Sequence, residues 1–119
     1  DYGRDLFGKP RIRHLAEQLQ TIDGIEWIRL LYWYPTNFPQ DILDLMASGG
    51  KVLPYLDMPI QHISNRMLRF MRRGDTRASL LKFYHTVRNK VPDIALRSTL
   101  ILGHPGESEA DFEELLSFI

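Results

Sequence analysis

The residues best placed to do chemistry in this sequence are Gln61, His62 and Ser64, which close the stretch Tyr55-Leu56-Asp57-Met58-Pro59-Ile60-Gln61-His62-Ile63-Ser64. The stretch reads as a short buried strand that turns at Pro59 into a polar mouth, and in α/β folds such strand ends carry the ligands. A second candidate is the loop Gly103-His104-Pro105-Gly106-Glu107, set between an apolar run and a helical pattern, where backbone N–H groups can cradle an anion. The loop lacks both the Lys-Ser/Thr of a nucleotide P-loop and the glycine spacing of a dinucleotide turn. His62 and His104 both sit at strand ends, but without a carboxylate at ligand spacing they do not make a metal site. No serine or cysteine has a base at a distance that would mark a nucleophile. The sequence therefore assigns binding residues and neither a catalytic residue nor a metal ligand.

The elements that position these residues follow from periodicity. Ile12, Leu15, Ala16 and Leu19 repeat at helical spacing after Pro10, and the helix stops before Asp23-Gly24. Residues 25–33 are β-branched and aromatic without polar alternation, which predicts a parallel strand covered on both faces. Ile42, Leu45 and Met46 mark a helix ended by Gly49-Gly50, and the 55–64 stretch is the next strand. Ser64 is placed to cap a helix with Met67, Leu68 and Met71 inward and Arg66, Arg69, Arg72 and Arg73 outward, closed by Gly74. A further helix carries Leu80, Phe83, Tyr84 and Val87. The strand 94–102 and a helix opened by Ser108 and Asp111 complete the order, with Tyr2-Gly3-Arg4-Asp5 expected as a loop.

Strands separated by helices pair in parallel, so three such units make an arc of sheet with two open edges. Natural domains avoid such edges. The arc is expected either to be cut from a barrel or doubly wound sheet, or to associate with another copy of itself. Period-two alternation puts Arg29, Asp57 and Arg97 on one concave face, where they form an internal ion network or face a polar ligand.

Composition narrows the classes. The 119 residues carry 15 basic and 15 acidic side chains, so no global field draws the chain to nucleic acid or anionic membrane. The four arginines between 66 and 73 read as a solvated face near a helix C-terminus. Cysteine is absent, which leaves no thiolate ligand for a cluster within these residues. No apolar run approaches the roughly 20 residues needed to span a bilayer, and the expectation is a cytoplasmic protein without a membrane partner.

Together, Tyr-Leu-Asp-Met-Pro-Ile-Gln-His at 55–62, Met71-Arg72-Arg73-Gly74 and Gly-His-Pro-Gly-Glu at 103–107 resemble the radical S-adenosylmethionine (SAM) methylthiotransferases. The chain is most similar to the RimO type, which modifies an aspartate of a small-subunit ribosomal protein; Leu31-Tyr32-Trp33-Tyr34-Pro35 and Asp1-Tyr2-Gly3-Arg4-Asp5 agree with that branch. The tRNA-modifying relatives tend to carry histidine at Asp57 and Ser-Gly-Ser at 62–64. The resemblance implies that residues 1–119 are the central part of a radical SAM domain: an α/β fragment of an open, TIM-like barrel, with three parallel strands under covering helices. In the family, a three-cysteine motif holds the 4Fe-4S cluster that cleaves SAM to a deoxyadenosyl radical, and a second set holds an auxiliary cluster. Both sets, and a C-terminal module, would lie outside this chain, which would be inactive alone. The resemblance further places Gln61 and Ser64 near the SAM ribose or methionyl group and pairs Arg97 with its carboxylate. Gly103 and Pro105 would let the backbone approach adenine, and Asp57 would orient Arg29 or Arg97. Two departures are His104, where the family has Phe, and Leu53, where many relatives have cysteine. A tRNA-modifying enzyme of the same family, an unrelated barrel enzyme and a ribosome- or RNA-binding module remain the alternatives.

Overall fold

A computed structural model describes residues 2–119, so Asp1 of the Asp-Tyr-Gly-Arg-Asp stretch lies outside the described residues. The chain is α/β. Its elements are α1 (Arg4–Phe7), α2 (Ile12–Gln20), α3 (Asp41–Ala47), β1 (Tyr55–Asp57), α4 (Asn65–Phe70), α5 (Arg77–Lys90), β2 (Ala95–Arg97) and α6 (Glu109–Leu116). β1 and β2 pair in parallel with Tyr55 opposite Ala95, Leu56 opposite Leu96 and Asp57 opposite Arg97. The connection passes through α4 and α5, as a parallel pair requires.

The core forms where the apolar faces of α3, β1, α4 and α5 meet. Ile42, Leu43, Leu56, Met58, Ile60, Leu68, Leu80 and Ile94 are all sealed from water there. Ile28, Leu30, Leu96 and Leu100 pack against this cluster from the edge, the helix-facing side that alternation predicts. A chain of edge-to-face rings runs from Trp33 through Phe38 and Phe83 to Tyr84, joining residues 33–38 to α5. The radius of gyration, 16.3 Å, exceeds the roughly 13.5 Å of a compact domain of this length. The layer is extended rather than closed.

Residues 25–33 do not form the expected third strand. They run beside 51–58 and make one parallel bridge, Ile28 to Val52, with a further bond from Trp33 N–H to Asp57 C=O at 2.8 Å. Between these points the ladder fails for a local reason. By alternation the N–H of Tyr55 belongs on this edge, but it turns back to the carbonyl of Leu53 at 2.8 Å around Pro54. On the facing segment Tyr32 has φ 60°, outside extended geometry. Two smaller expectations also change. Residues 4–7 make one helical turn between Gly3 and Gly8, both left-handed, rather than a loop. α4 stops at Phe70, with Arg72 left-handed at φ 54°, so the chain leaves the helix before Gly74.

α5 is the longest element, opened by a reciprocal capping box between Thr76 and Ser79. Thr76→Ala should lower stability by about 1 kcal/mol, the usual worth of such a cap. Chemical denaturation of the two forms will show whether the box contributes that much.

Candidate active-site cleft at the strand ends

Beyond Asp57 the β1 chain carries one extra residue relative to β2, because the register passes from Asp57–Arg97 to a bridge between Gln61 and Leu100. The Ser98 hydroxyl fills the resulting bulge, donating to the Met58 carbonyl at 2.9 Å and accepting from Ile60 N–H at 3.3 Å. Pro59, which has no N–H to satisfy, fits the kink, and Arg73 donates to its carbonyl at 2.8 Å. Bulges of this kind re-aim side chains at strand ends. Gln61 is the residue re-aimed. It is held at φ 72°, rare for a side-chain-bearing residue, by Gln61 N–H to Thr99 C=O at 3.0 Å and Ile101 N–H to Gln61 C=O at 2.8 Å.

Only Gln61 of the expected polar mouth keeps its side chain partly open. His62 is fully buried and Ser64 nearly so. Their polar atoms are all taken. His62 Nδ1 accepts from Ile63 N–H at 2.9 Å and Ser64 N–H at 3.0 Å. The ring proton therefore sits on Nε2, 3.0 Å from Glu107 Oε1. Glu107 Oε2 accepts from Gly103 N–H, and its own N–H closes the loop onto His104 C=O at 2.9 Å. The His62 hydrogen bond, followed by the backbone donors of the loop, holds the Glu107 carboxyl below the usual carboxylate range.

Ser64 caps α4 as the sequence predicts, accepting from Met67 N–H, and also donates to Asp111 Oδ1 at 2.6 Å. Asp111 collects the Arg66 guanidinium and both the N–H (3.0 Å) and the hydroxyl of Ser108 as well. Arg66, first among these, and the two serines drive its carboxyl far below the ordinary range. Arg66 additionally donates to Gly106 C=O at 2.8 Å. The expected solvated arginine face thus divides: Arg69 and Arg72 are exposed, while Arg66 braces the loop and Arg73 stacks over Tyr34. Spacing identified Ser108 and Asp111 as a cap but carried no sign of Ser64 and Arg66, which lie more than forty residues upstream.

The concave face holds half of the expected network. Arg97 Nη1 lies 3.6 Å from Asp57 Oδ1, with the Arg97 side chain 59% exposed and Asp57 1%. Arg29 instead stacks over the rings of Tyr55 and Trp27. Asp57 Oδ2 accepts weakly from Tyr32 N–H at 3.3 Å, and Oδ1 has no hydrogen-bond donor. Gly103 and Pro105 are exposed, and Gly103 has φ 70° with open space where a Cβ would stand. The nearest polar partner of the His104 ring is the Pro105 carbonyl, 2.9 Å from Nδ1. A groove of about 470 Å³ lies between Tyr2, Pro10 and residues 30–39, and none of Gln61, Ser64, Arg97, Gly103 or Pro105 lines it.

The strand ends thus bring together a bulge, a buried carboxylate facing a cation and a glycine loop locked beside them. A model of the Radical SAM superfamily matches residues 4–119. The chain belongs to that superfamily. It is also similar over 99% of its length to proteins called ribosomal protein uS12 methylthiotransferase RimO: 49% identical to that of Cytophaga hutchinsonii, 51% to one from Porphyromonas gingivalis and 48% to that of Flavobacterium johnsoniae. It spans 27% of the length of each.

For a radical SAM chain the question is whether these residues suit the superfamily's groups. They suit SAM. Arg97 offers free guanidinium donors to a carboxylate, Asp57 Oδ1 is a buried acceptor lacking a donor, and Gly103 leaves its backbone open to a flat ring. They do not suit an iron–sulfur cluster. The sequence holds no cysteine, and among the described residues no three His, Asp or Glu side chains converge as ligands. No helix among the described residues is long and apolar enough to cross a membrane.

Proposed function

We propose that this chain is the central part of a radical SAM barrel in a RimO-type methylthiotransferase, and that its strand ends form one wall of the SAM site. The observation that carries the reading is the Asp57–Arg97 pair, in direct register on β1 and β2 and open toward the strand ends on the Arg97 side. Arg97 receives the SAM carboxylate. Asp57 fixes the guanidinium from behind, and Gln61 presents its amide to the ribose or methionyl end. Gly103 and Pro105 lie along the adenine edge. Ser64, whose hydroxyl is engaged by Met67 and Asp111, acts by holding that wall in place. SAM, when bound, supplies the radical and methyl chemistry of the superfamily; this chain's residues bind and orient it. The cluster cysteines and the substrate-engaging module belong to the rest of a longer cytoplasmic protein.

Three further features support the reading. The 27% span of the relatives fits a piece of a larger domain. The exposed Trp27, Leu31 and Tyr32 lie along an edge that a neighbouring barrel strand would cover, rather than a second copy. The similarity over 99% of the chain to relatives named for ribosomal protein uS12 supports that protein as the substrate, with an aspartate β-carbon as the modified position in this reading.

The test is mass spectrometry of ribosomal protein uS12 and of total tRNA from cells with and without the full-length gene. A methylthio group on a uS12 aspartate that disappears with the gene is the expected result. Loss of a methylthiolated tRNA base with uS12 unchanged would give the function to the tRNA-modifying branch.

A further inference from the structure

We infer that Glu107 and His62 are positioning residues that lock the two walls of the proposed cofactor cleft, the Gln61–Ser64 strand end and the Gly103–Glu107 loop, into one body. The inference rests on reading that cleft as a SAM site.

The backbone ties between these walls end at Ile101, whose N–H reaches Gln61 C=O. Beyond it the loop contains Gly103 and Gly106, both left-handed, at φ 70° and 88°. Glycines in that region impose little conformational restriction of their own, so the order of the loop must come from elsewhere. Glu107 supplies it through three contacts: Oε2 accepts from Gly103 N–H, its backbone N–H donates to His104 C=O, and Oε1 accepts from His62 Nε2–H across the cleft base.

His62 is constrained from the other side. Its Nδ1 is filled by the N–H groups of Ile63 and Ser64, so only the Nε2–H remains to donate, and it points at Glu107. The His62 side chain is 0% and that of Glu107 8% exposed, so water does not substitute for either partner. Removing the carboxylate would leave the buried His62 imidazole N–H without an acceptor and would free the exposed Gly103 N–H to water, so the loop loses its tie to the strand end. Arg66, bonded to Gly106 C=O and to Asp111, holds the far side of the loop but makes no bond to His62. The direct side-chain bond between residues 61–64 and 103–107 is therefore His62–Glu107, while Ser64–Asp111 and Arg66–Gly106 brace the loop from its far end.

The experiment uses the cluster-loaded full-length protein under anaerobic conditions, comparing wild type, Glu107→Ala, Glu107→Gln and the exposed control Glu109→Ala. Amide hydrogen exchange is followed in peptides covering 61–64 and 103–107, and SAM affinity is measured by calorimetry. In Glu107→Ala, exchange should accelerate in both segments and the SAM Kd rise roughly ten-fold, the scale of a lost hydrogen bond to a charged group. Glu107→Gln keeps one acceptor and should show a smaller change of the same kind; it carries the comparison if the alanine form fails to fold. Faster exchange confined to 103–107, or a Glu107→Ala affinity equal to wild type when wild type binds SAM, overturns the inference. If wild type binds no SAM, the cofactor reading fails, and the exchange data still decide whether the walls are coupled.

Discussion

Replacing Arg97 with alanine will weaken SAM binding by the full-length protein roughly ten- to hundred-fold, the range expected when a charge-assisted bond to a carboxylate is lost. The guanidinium is well placed for that bond because one edge lies in ion-pair range of Asp57, 3.6 Å away, while the side chain stays 59% exposed. Arg97→Lys should recover only part of the loss, since an ammonium keeps the charge but not the planar fork. The alanine variant also strands Asp57, 1% exposed, with only the 3.3 Å bond from Tyr32 N–H. That cost should be about 1–2 kcal/mol, below the figure for a fully buried pair because Arg97 itself faces water. Adding Asp57→Asn to Arg97→Ala should restore stability and leave affinity low. Calorimetric affinity of Arg97→Ala indistinguishable from wild type would remove Arg97 from the site.

The second large effect concerns Asp111. Asp111→Asn removes the charge that gathers Arg66, Ser64 and Ser108, and with it the tie between the α4 and α6 N-termini. Its effect on unfolding should exceed that of Thr76→Ala, whose cap serves one helix alone. The pH dependence has a definite sign. The folded carboxyl titrates below its ordinary value of 3.8, so the folded state binds protons less readily than the unfolded chain. The stabilisation is then complete above that value and is lost as pH falls through and below it. Glu107, also depressed, contributes in the same direction from 4.5 downward. Urea titrations between about pH 6 and pH 3 should show wild type losing stability more steeply than Asp111→Asn. Parallel curves would mean that the Asp111 network adds nothing to folding.

The contrast between Thr76 and Asp111 shows what spacing can reveal. Both belong to short capping signatures, Thr76 with Ser79 and Ser108 with Asp111, and both boxes form. For Thr76 the local pattern is nearly the whole account. For Asp111 it is the smaller part, because Ser64 and Arg66 arrive from the end of another strand. The same holds for the missing third strand. Residues 25–33 have the composition of a buried strand, yet pairing depends on where the Tyr55 N–H points, which a turn at Pro54 decides.

The sequence by itself determined the parallel β1–β2 pair and the helices between and around it, the face on which Asp57 and Arg97 meet, the Ser64 cap and the family. Each follows from a period of two or 3.6 residues, or from a contiguous motif. The tertiary structure alone decided that His62 and Ser64 turn inward while Gln61 stays open, that Arg29 leaves the ion pair for aromatic rings, and that Glu107 and Asp111 anchor the loop. The His62–Glu107 and Ser64–Asp111 outcomes are hydrogen-bond partnerships across more than forty residues. A buried polar group takes whichever partner the packed core brings within reach, and no local period records that choice.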